Sequence, residues 1–404
     1  MDLKKEPFGK HIPCLDGVRG IAILLVMCRH LLPIEPISFV PLEYVRKVLE
    51  AGWIGVDLFF VLSGFLITGI LLDTKGSNQP FRNFYARRSL RIFPLYYFVL
   101  LVGLVVFPLS GFNYEGLQLN LDNQLWLWSY TSNLVMAYQD SYLFTADGFR
   151  LSHLWSLAVE EHFYLVWPLA VLSLSHRPLL RICFGTIIVA LTLRCTLYLS
   201  GVTGLANYVL TFCRMDSLMF GALLAIGCRL PTAKRSLQFT IPAVGSLAGA
   251  GLAAILFTTK GWWVSHWTMQ TVGFTLLAVF FSSALYVLLN TSEKNIVKRT
   301  ISAKPLRLLG KYSYGLYIYH SIFDAHLEGW IPDESGPFAN LPVIGPVSVF
   351  VARVAIILPI TLLSYHLLEA PFLRLKDRFI PKPAANSDHR ESVTALTKVK
   401  GIGG

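Results

Sequence analysis

The sequence predicts an all-α, polytopic membrane protein, and three observations carry that expectation. Apolar runs of about twenty residues, long enough to span a hydrocarbon core, recur along the chain. Hydrophobic residues make up 54% of its 404 positions, with a mean hydropathy of +0.55. Charged residues are only 15%, against roughly 25% in soluble domains. The net charge of +11 therefore points to no nucleic acid; it fits cytoplasmic loops facing anionic membrane lipid.

Ten spans are expected, near residues 18–33, 53–72, 92–109, 152–174, 182–200, 208–228, 239–257, 269–289, 312–330 and 346–368. Residues 1–380 then form one transmembrane domain, and 381–404, polar and charged, form a disordered cytoplasmic tail. No cleavable signal is expected, because no small-residue cleavage site follows the first apolar stretch. The aromatic stretch Trp126 to Tyr138 is short and polar-flanked. If it crossed, every later loop would change sides. Without it, the inner segments collect Lys75, Arg82, Arg87, Arg229, Arg235, Lys294 and Lys304, whereas the outer ones carry only Arg46, Lys47, Arg150 and Lys260. The positive-inside bias therefore makes 110–151 one long outer segment, with both termini cytoplasmic. The six cysteines form no CxxC pair, and most sit within apolar runs. They read as buried small hydrophobes rather than disulfides or metal ligands.

The first span, LDGVRGIAILLVMCRH, carries Asp16, Arg19, Arg29 and His30 in a helix that should be apolar. A charge at bilayer depth costs at least about 2.5–3.5 kcal/mol. Arg19 and His30 are close to three turns apart, so they share a face about 16 Å apart along the axis. Snorkelling of Arg19 and capping by His30 near Pro33 is the bland alternative. In the second span, GWIGVDLFFVLSGFLIT, Asp57 reads as an interfacial helix-end charge or a functional carboxylate. Ser63 reads as a packing contact more readily than a nucleophile, since no GxSxG is present. Gly64 beside it lets another backbone or a ligand come close.

The third span opens FYARRSLRIFPLYY. Arg87, Arg88 and Arg91 crowd its inner entrance, either as topological anchors or as an anion site whose guanidiniums fork onto phosphate oxygens. Pro94 is placed to break the helix there and free backbone amides. The fourth span, LSHLWSLAVEEHFYLVWP, holds Glu160, Glu161 and His162 in its outer half. Two adjacent intramembrane carboxylates point about 100° apart, are hard to explain as packing and need a cation such as Arg29, His30 or Arg214. A His/Glu metal site lacks diagnostic spacing. Arg214 and Asp216 in the sixth span suggest an interhelical ion pair. His320 in the ninth is expected nearer the cytoplasmic side, among tyrosines and four residues before Asp324. Glu369 ends the tenth, within reach of inner-face arginines. The GxxxG of Gly245 and Gly249 reads as close helix packing.

LDGVRGIAILLVMCRH, GWIGVDLFFVLSGFLIT, ARRSLRIFPLYY, LWSLAVEEHFYLVWP, RMDSLMFGALLA and YSYGLYIYH, in this order, resemble the signature stretches of the acyltransferase 3 family of integral-membrane O-acyltransferases. The resemblance covers roughly residues 11–378. It implies ten transmembrane helices, residence in a bacterial inner membrane, and transfer of an acyl group, commonly acetyl from acetyl-CoA, to a hydroxyl. The acceptor would be an extracytoplasmic glycan, a lipid-linked sugar or a small hydroxylated molecule. It further implies that His30 and Arg19 are essential and that Arg88 and Arg91 are the RxxR element of the third helix. Members often carry a fused SGNH-type domain, for which this chain leaves no room. The expected mechanism rests the CoA nucleotide on Arg88 and Arg91 and brings the thioester to His30. His30 is the general base, supported by Glu160 or Glu161, and Arg19 guides the donor arm or stabilises charge. No metal is expected. An acyl-histidine relay is the second variant. The rival classes are a non-enzymatic transporter, which intramembrane His, Glu and Arg also suit, and an accessory subunit of a polysaccharide export system.

Overall fold

The computed structural model describes residues 12–33, 40–145, 148–202, 204–230, 234–333 and 344–379, and every regular element among them is helical. The expected tail, 381–404, lies outside the described residues.

Helix α1 (Pro13–Leu31) starts on a proline, whose missing N–H is no loss in a first turn, and ends where Leu32 turns extended ahead of Pro33. A short amphipathic α2 (Val40–Glu50) follows, with Arg46 clasped by Glu43 and Glu50. Next come α3 (Ile54–Thr74) and α4 (Pro80–Leu101). The latter runs on through a π-helical stretch to Leu109. Pro94 sits inside α4 without ending it, so the expected break is absent.

The segment 110–151 carries only α5 (Leu117–Asp122), α6 (Gln124–Trp128) and α7 (Ser132–Gln139). The longest has 8 residues, about 12 Å, far short of the ~30 Å hydrocarbon core. The stretch 126–138 therefore does not cross. It lies over the bundle end, where Tyr96 donates to the Leu127 carbonyl at 2.8 Å and Asn133 donates to the Thr211 hydroxyl at 2.8 Å.

The remaining helices are α8 (Trp155–Ser173), α9 (His176–Leu199), α10 (Gly204–Val209), α11 (Thr211–Gly227), α12 (Lys234–Thr258), α13 (Phe274–Asn290), α14 (Ile296–Ile301), α15 (Lys304–Ile322), α16 (Asp324–Trp330), α17 (Ile344–Ser364) and α18 (Ala370–Leu375). Among the described residues, seven helical stretches are long and apolar enough to cross a membrane. Helices α1, α8 and α15 are not among them, although each has 19 residues. They fall short because they carry Asp16, Arg19 and Arg29, then Glu160 and Glu161, then Lys304, Arg307 and Lys311. The chain is an all-α polytopic membrane protein, and these three are among its polar long helices.

Two ends can be told apart. At the basic end, Arg229 pairs with Asp73 at 2.9 Å, and Lys75 donates to the carbonyl of Leu174. At the far end, Trp53 donates to Trp262 O, and Arg353 donates to Leu31 O. The ninth expected span is displaced: α15 starts at Lys304 and stops at Ile322, and α16 is a separate helix. His320 is thus near the far end, not the basic end. The charged first turns of α15 lower its hydropathy and pull an apolar window too far along the chain.

Buried charges are paired between helices. Asp57 receives Arg214 at 2.6 Å and Asp216 receives Arg194 at 2.8 Å, with all four side chains fully buried. Arg214 also lies 3.9 Å from the Phe274 ring centroid, a cation–π geometry. Asp57 is therefore a structural partner rather than an interfacial helix-end charge, and Arg214 is committed to it rather than to Glu160. Gly245 and Gly249 pack on Ser283 and Phe280 of α13, as the GxxxG spacing suggests. All six cysteines are unbonded, and only Cys195 is not buried.

Candidate active site

Two helix crossings build the site. In the first, α1 lies against α15 because Gly17, Gly20 and Gly310 have no side chains. A Cβ on Gly20 would overlap the Leu306 carbonyl, and one on Gly310 would overlap that of Asp16. In the second, α3 meets α11 at Gly64 and Gly221. Gly64 thus admits the backbone of Leu218, not a ligand.

These crossings leave a cavity of about 370 Å³ between α1, α3, α4 and α8. Asp16, Arg91 and Lys376 line it toward the basic end; Ser156 and Tyr317 line its opposite extreme. Arg19, Arg88 and Glu160 stand between. The Ser63 hydroxyl donates to Glu160 Oε1 at 2.5 Å, and Tyr164 OH donates to Ser63 Oγ at 3.1 Å. Arg88 lies over the Tyr164 ring, 5.3 Å from its centroid. Three guanidiniums and an ammonium line this small cavity together with the carboxylates of Asp16 and Glu160. The cavity closes where Ser156 and Tyr317 share a 2.5 Å hydrogen bond, with Phe59 set edge-on to the tyrosine ring.

Beyond that closure lies a second polar group. His30, at the end of α1, is 5.1 Å from His320 between ring centroids, and His320 is 5.4 Å from His153. His320 is fully buried, whereas the His30 side chain is 38% exposed. His320 Nδ1 meets the Tyr317 carbonyl at 2.7 Å, so that nitrogen donates and Nε2 keeps its lone pair. Asp324, the first residue of α16, stands 4.0 Å from His30 Nδ1 and is held by Arg150 at 2.9 Å. Burial pushes the Asp324 carboxyl up to about 6, against the pull of Arg150.

Arg19, Arg88, Arg91 and Glu160 are thus brought together, whereas the sequence set Glu160 beside His30 with Arg29, His30 or Arg214 as its cation; His30 is not with them. The expected support of His30 by Glu160 or Glu161 is not what the geometry offers: Glu160 is engaged in the cavity, and the carboxylate beside His30 is that of Asp324. Glu161 does not line the cavity, and its buried Oε1 has no hydrogen-bond partner among the described residues. His162 is tied to Thr211 at 2.7 Å, a link between helices. No group of His, Cys, Asp and Glu suited to a metal ion occurs among the described residues. Lys376, which lies beyond the last expected span, carries no motif that would have marked it. Sequence reasoning counted Arg150 only as an exception to the charge bias, although that exception was the available signal.

A family model described as an acyltransferase domain matches residues 12–366. The peptidoglycan O-acetyltransferase OatA of Listeria monocytogenes is 31% identical over 322 residues, which is 77% of this chain and 49% of that protein. The putative peptidoglycan O-acetyltransferase YrhL of Bacillus subtilis is 29% identical, covering 91% of this chain and 56% of its own length. The O-acetyltransferase OatA of Staphylococcus aureus is 26% identical, covering 94% and 60%. The chain thus spans about half the length of the curated relatives it matches. No solved structure matches it.

Proposed function

Because the chain belongs to the acyltransferase 3 family, we propose that it is a ten-span membrane O-acyltransferase. In this reading it moves an acyl group, acetyl in the first instance, from cytoplasmic acyl-CoA to a hydroxyl of a glycan beyond a bacterial inner membrane. The observation that supports it best is the pairing of a cationic cavity at one end with an accessible histidine at the other. The nucleotide phosphates of the donor rest on Arg88, Arg91 and Lys376, where clustered cations suit phosphate oxygens. The narrow pantetheine arm follows the cavity past Arg19 toward Tyr317, and Ser63 and Glu160 line its path. His30 takes the proton of the acceptor hydroxyl as that oxygen attacks the thioester carbonyl, and the CoA thiolate leaves toward the basic end. The Ser156–Tyr317 closure must part for the thioester to meet the acceptor.

The test uses purified full-length protein in liposomes, with acetyl-CoA at the basic face and peptidoglycan fragments at the other. Thiol release and acetylated product are both followed. His30→Ala should abolish transfer, and Arg88→Ala should raise the apparent KM for acetyl-CoA with a smaller effect on kcat. An active His30→Ala protein would end the proposed role of that histidine. A protein that releases no thiol from acetyl-CoA would favour the transporter class instead.

A further inference from the structure

Asp324 stands outside every motif that marks the chain, yet among the described residues it is the carboxylate in ion-pair reach of His30. Its Oδ2 accepts from Arg150 Nη1 at 2.9 Å and faces His30 Nδ1 at 4.0 Å. Its other oxygen, Oδ1, is buried and has no hydrogen-bond partner among the described residues. The side chain is only 8% exposed. An unmade hydrogen bond is costly in such a place; Asp57 Oδ2, Glu161 Oε1 and Glu369 Oε1 also lack one among the described residues, and what sets Asp324 apart is its 4.0 Å approach to His30. Its charged and titratable neighbours are His30 from α1, Arg150 from the segment before α8, Arg353 from α17, and Glu328 and His320 one turn to either side.

We propose that Asp324 is the positioning residue for His30: it accepts a hydrogen bond from the Nδ1–H of the imidazole, fixes the tautomer that leaves Nε2 free toward the acceptor, and steadies the imidazolium that forms during transfer. This rests on His30 being the base. The bonds balance simply. The acceptor hydroxyl loses its proton to Nε2 while its oxygen forms the ester, and the C–S bond of the thioester breaks. The proton then leaves His30 for the CoA thiolate or water. Asp324 gains no proton in this cycle; it holds a hydrogen bond that tightens as the ring becomes charged. The present 4.0 Å has to close by about 1 Å, a rotation within reach of a side chain at a helix start, and catalytic hydrogen bonds are commonly long before substrate binds. Arg150 explains why the carboxylate sits here at all: it anchors Asp324 from the far-end segment, so this segment and α16 together set the direction of the His30 ring.

The test compares Asp324→Asn, Asp324→Glu and His30→Ala in the liposome assay with acetyl-CoA as donor and thiol release as readout. Asp324→Asn offers an N–H where the ring needs an acceptor. It should lower kcat by about 10²-fold or more, leave the KM for acetyl-CoA unchanged, and move the acid limb of the pH–rate profile to lower pH, because the imidazolium has lost an anionic neighbour. Asp324→Glu, which keeps the charge, should recover at least tenfold over the Asn variant. The pH shift and the recovery are readouts that a merely structural salt bridge with Arg150 would not move. A wild-type kcat and profile in Asp324→Asn, with His30→Ala inactive, overturns the assignment of Asp324 alone. An active His30→Ala overturns the reading beneath it. Should the Asn variant fail to fold, the Glu variant decides: if folded yet as inactive as His30→Ala, it refutes a role that depends on the charge.

Discussion

At the residue scale, the chain contains two kinds of buried charge, and their partners separate them. Asp57 Oδ1 accepts from Arg214 Nη2 at 2.6 Å and from Ser217 at 3.1 Å, with aromatic rings around the guanidinium, while Asp57 Oδ2 and Arg214 Nε and Nη1 have no hydrogen-bond partner among the described residues. None of Asp57, Arg214 and Ser217 lines the cavity that holds Arg88 and Glu160. Removing one partner strands the other charge in a low-dielectric interior, at a cost of roughly 3–5 kcal/mol. Replacing both by apolar residues of similar volume removes the pair and the penalty together. Asp57→Ala should therefore lower the thermal midpoint of the detergent-solubilised protein sharply, while Asp57→Leu with Arg214→Met should recover most of it and keep acyl transfer. Thermal unfolding and turnover measured on the same preparations check this. A stable but inactive double variant would move the pair into the catalytic machinery. Arg88 and Glu160 are of the second kind: they line open space in a wall that has room for a ligand.

At the element scale, the two glycine crossings decide what can meet. The α1–α15 contact places Arg19 in the cavity and, three turns on, His30 against His320. Both results depend on Gly20 and Gly310, where a side chain would strike backbone carbonyls rather than a flexible neighbour. Gly310→Val should therefore separate the helices, lowering stability by several kcal/mol in the manner of overpacked sites and abolishing turnover even though residue 310 touches no substrate. Gly76 is the control: it sits in an open turn at φ +85, so Gly76→Ala should cost only about 1 kcal/mol of backbone strain and leave transfer intact. Thermal midpoints and turnover of both variants check the contrast. The helices themselves were largely legible in the sequence, because a lipid-facing helix must be apolar for its whole length. The polar α1 and α8 were legible for the opposite reason, since charges stand out there. The start of α15 was not, because Lys304, Arg307 and Lys311 look like loop residues until Pro305 is recognised as a first-turn proline. Pairings were least legible. Arg194 meets Asp216, and Arg150 meets Asp324, across 22 and 174 residues, and separations of that kind leave no periodicity to read. Hence Glu160, conspicuous in its own helix, was assigned to His30, and the inconspicuous Asp324 was not.

At the scale of the whole molecule, the arrangement is two half-sites in one bundle with a closure between them. The cationic cavity ends at the Ser156–Tyr317 hydrogen bond, and the histidine group begins on its other side, since Tyr317 OH also reaches the His153 carbonyl at 3.0 Å. Under the proposed function a thioester donor gains from this, because water at the far face would not meet it until the closure parts, and exclusion of water is a recognised function of moving elements in active sites. The same geometry makes access one-sided. Ile70 lines the cavity on α3, toward the basic end. In a chain with Cys195 replaced, Ile70→Cys should react with a membrane-impermeant maleimide supplied from the basic side of sealed liposomes and not from the far side. If, as proposed, the cations nearby hold the nucleotide across the mouth, CoA should protect it. Lys376 comes from the last described helical stretch, whose Phe379 ring lies 5.9 Å from the Arg82 guanidinium, so this stretch forms one lip of that mouth. Lys376→Ala should then weaken CoA protection of the Ile70→Cys thiol while leaving its labelling without CoA unchanged. Labelling of equal rate from both sides would mean a continuous channel, which belongs to a transporter rather than to a transferase with separate donor and acceptor faces.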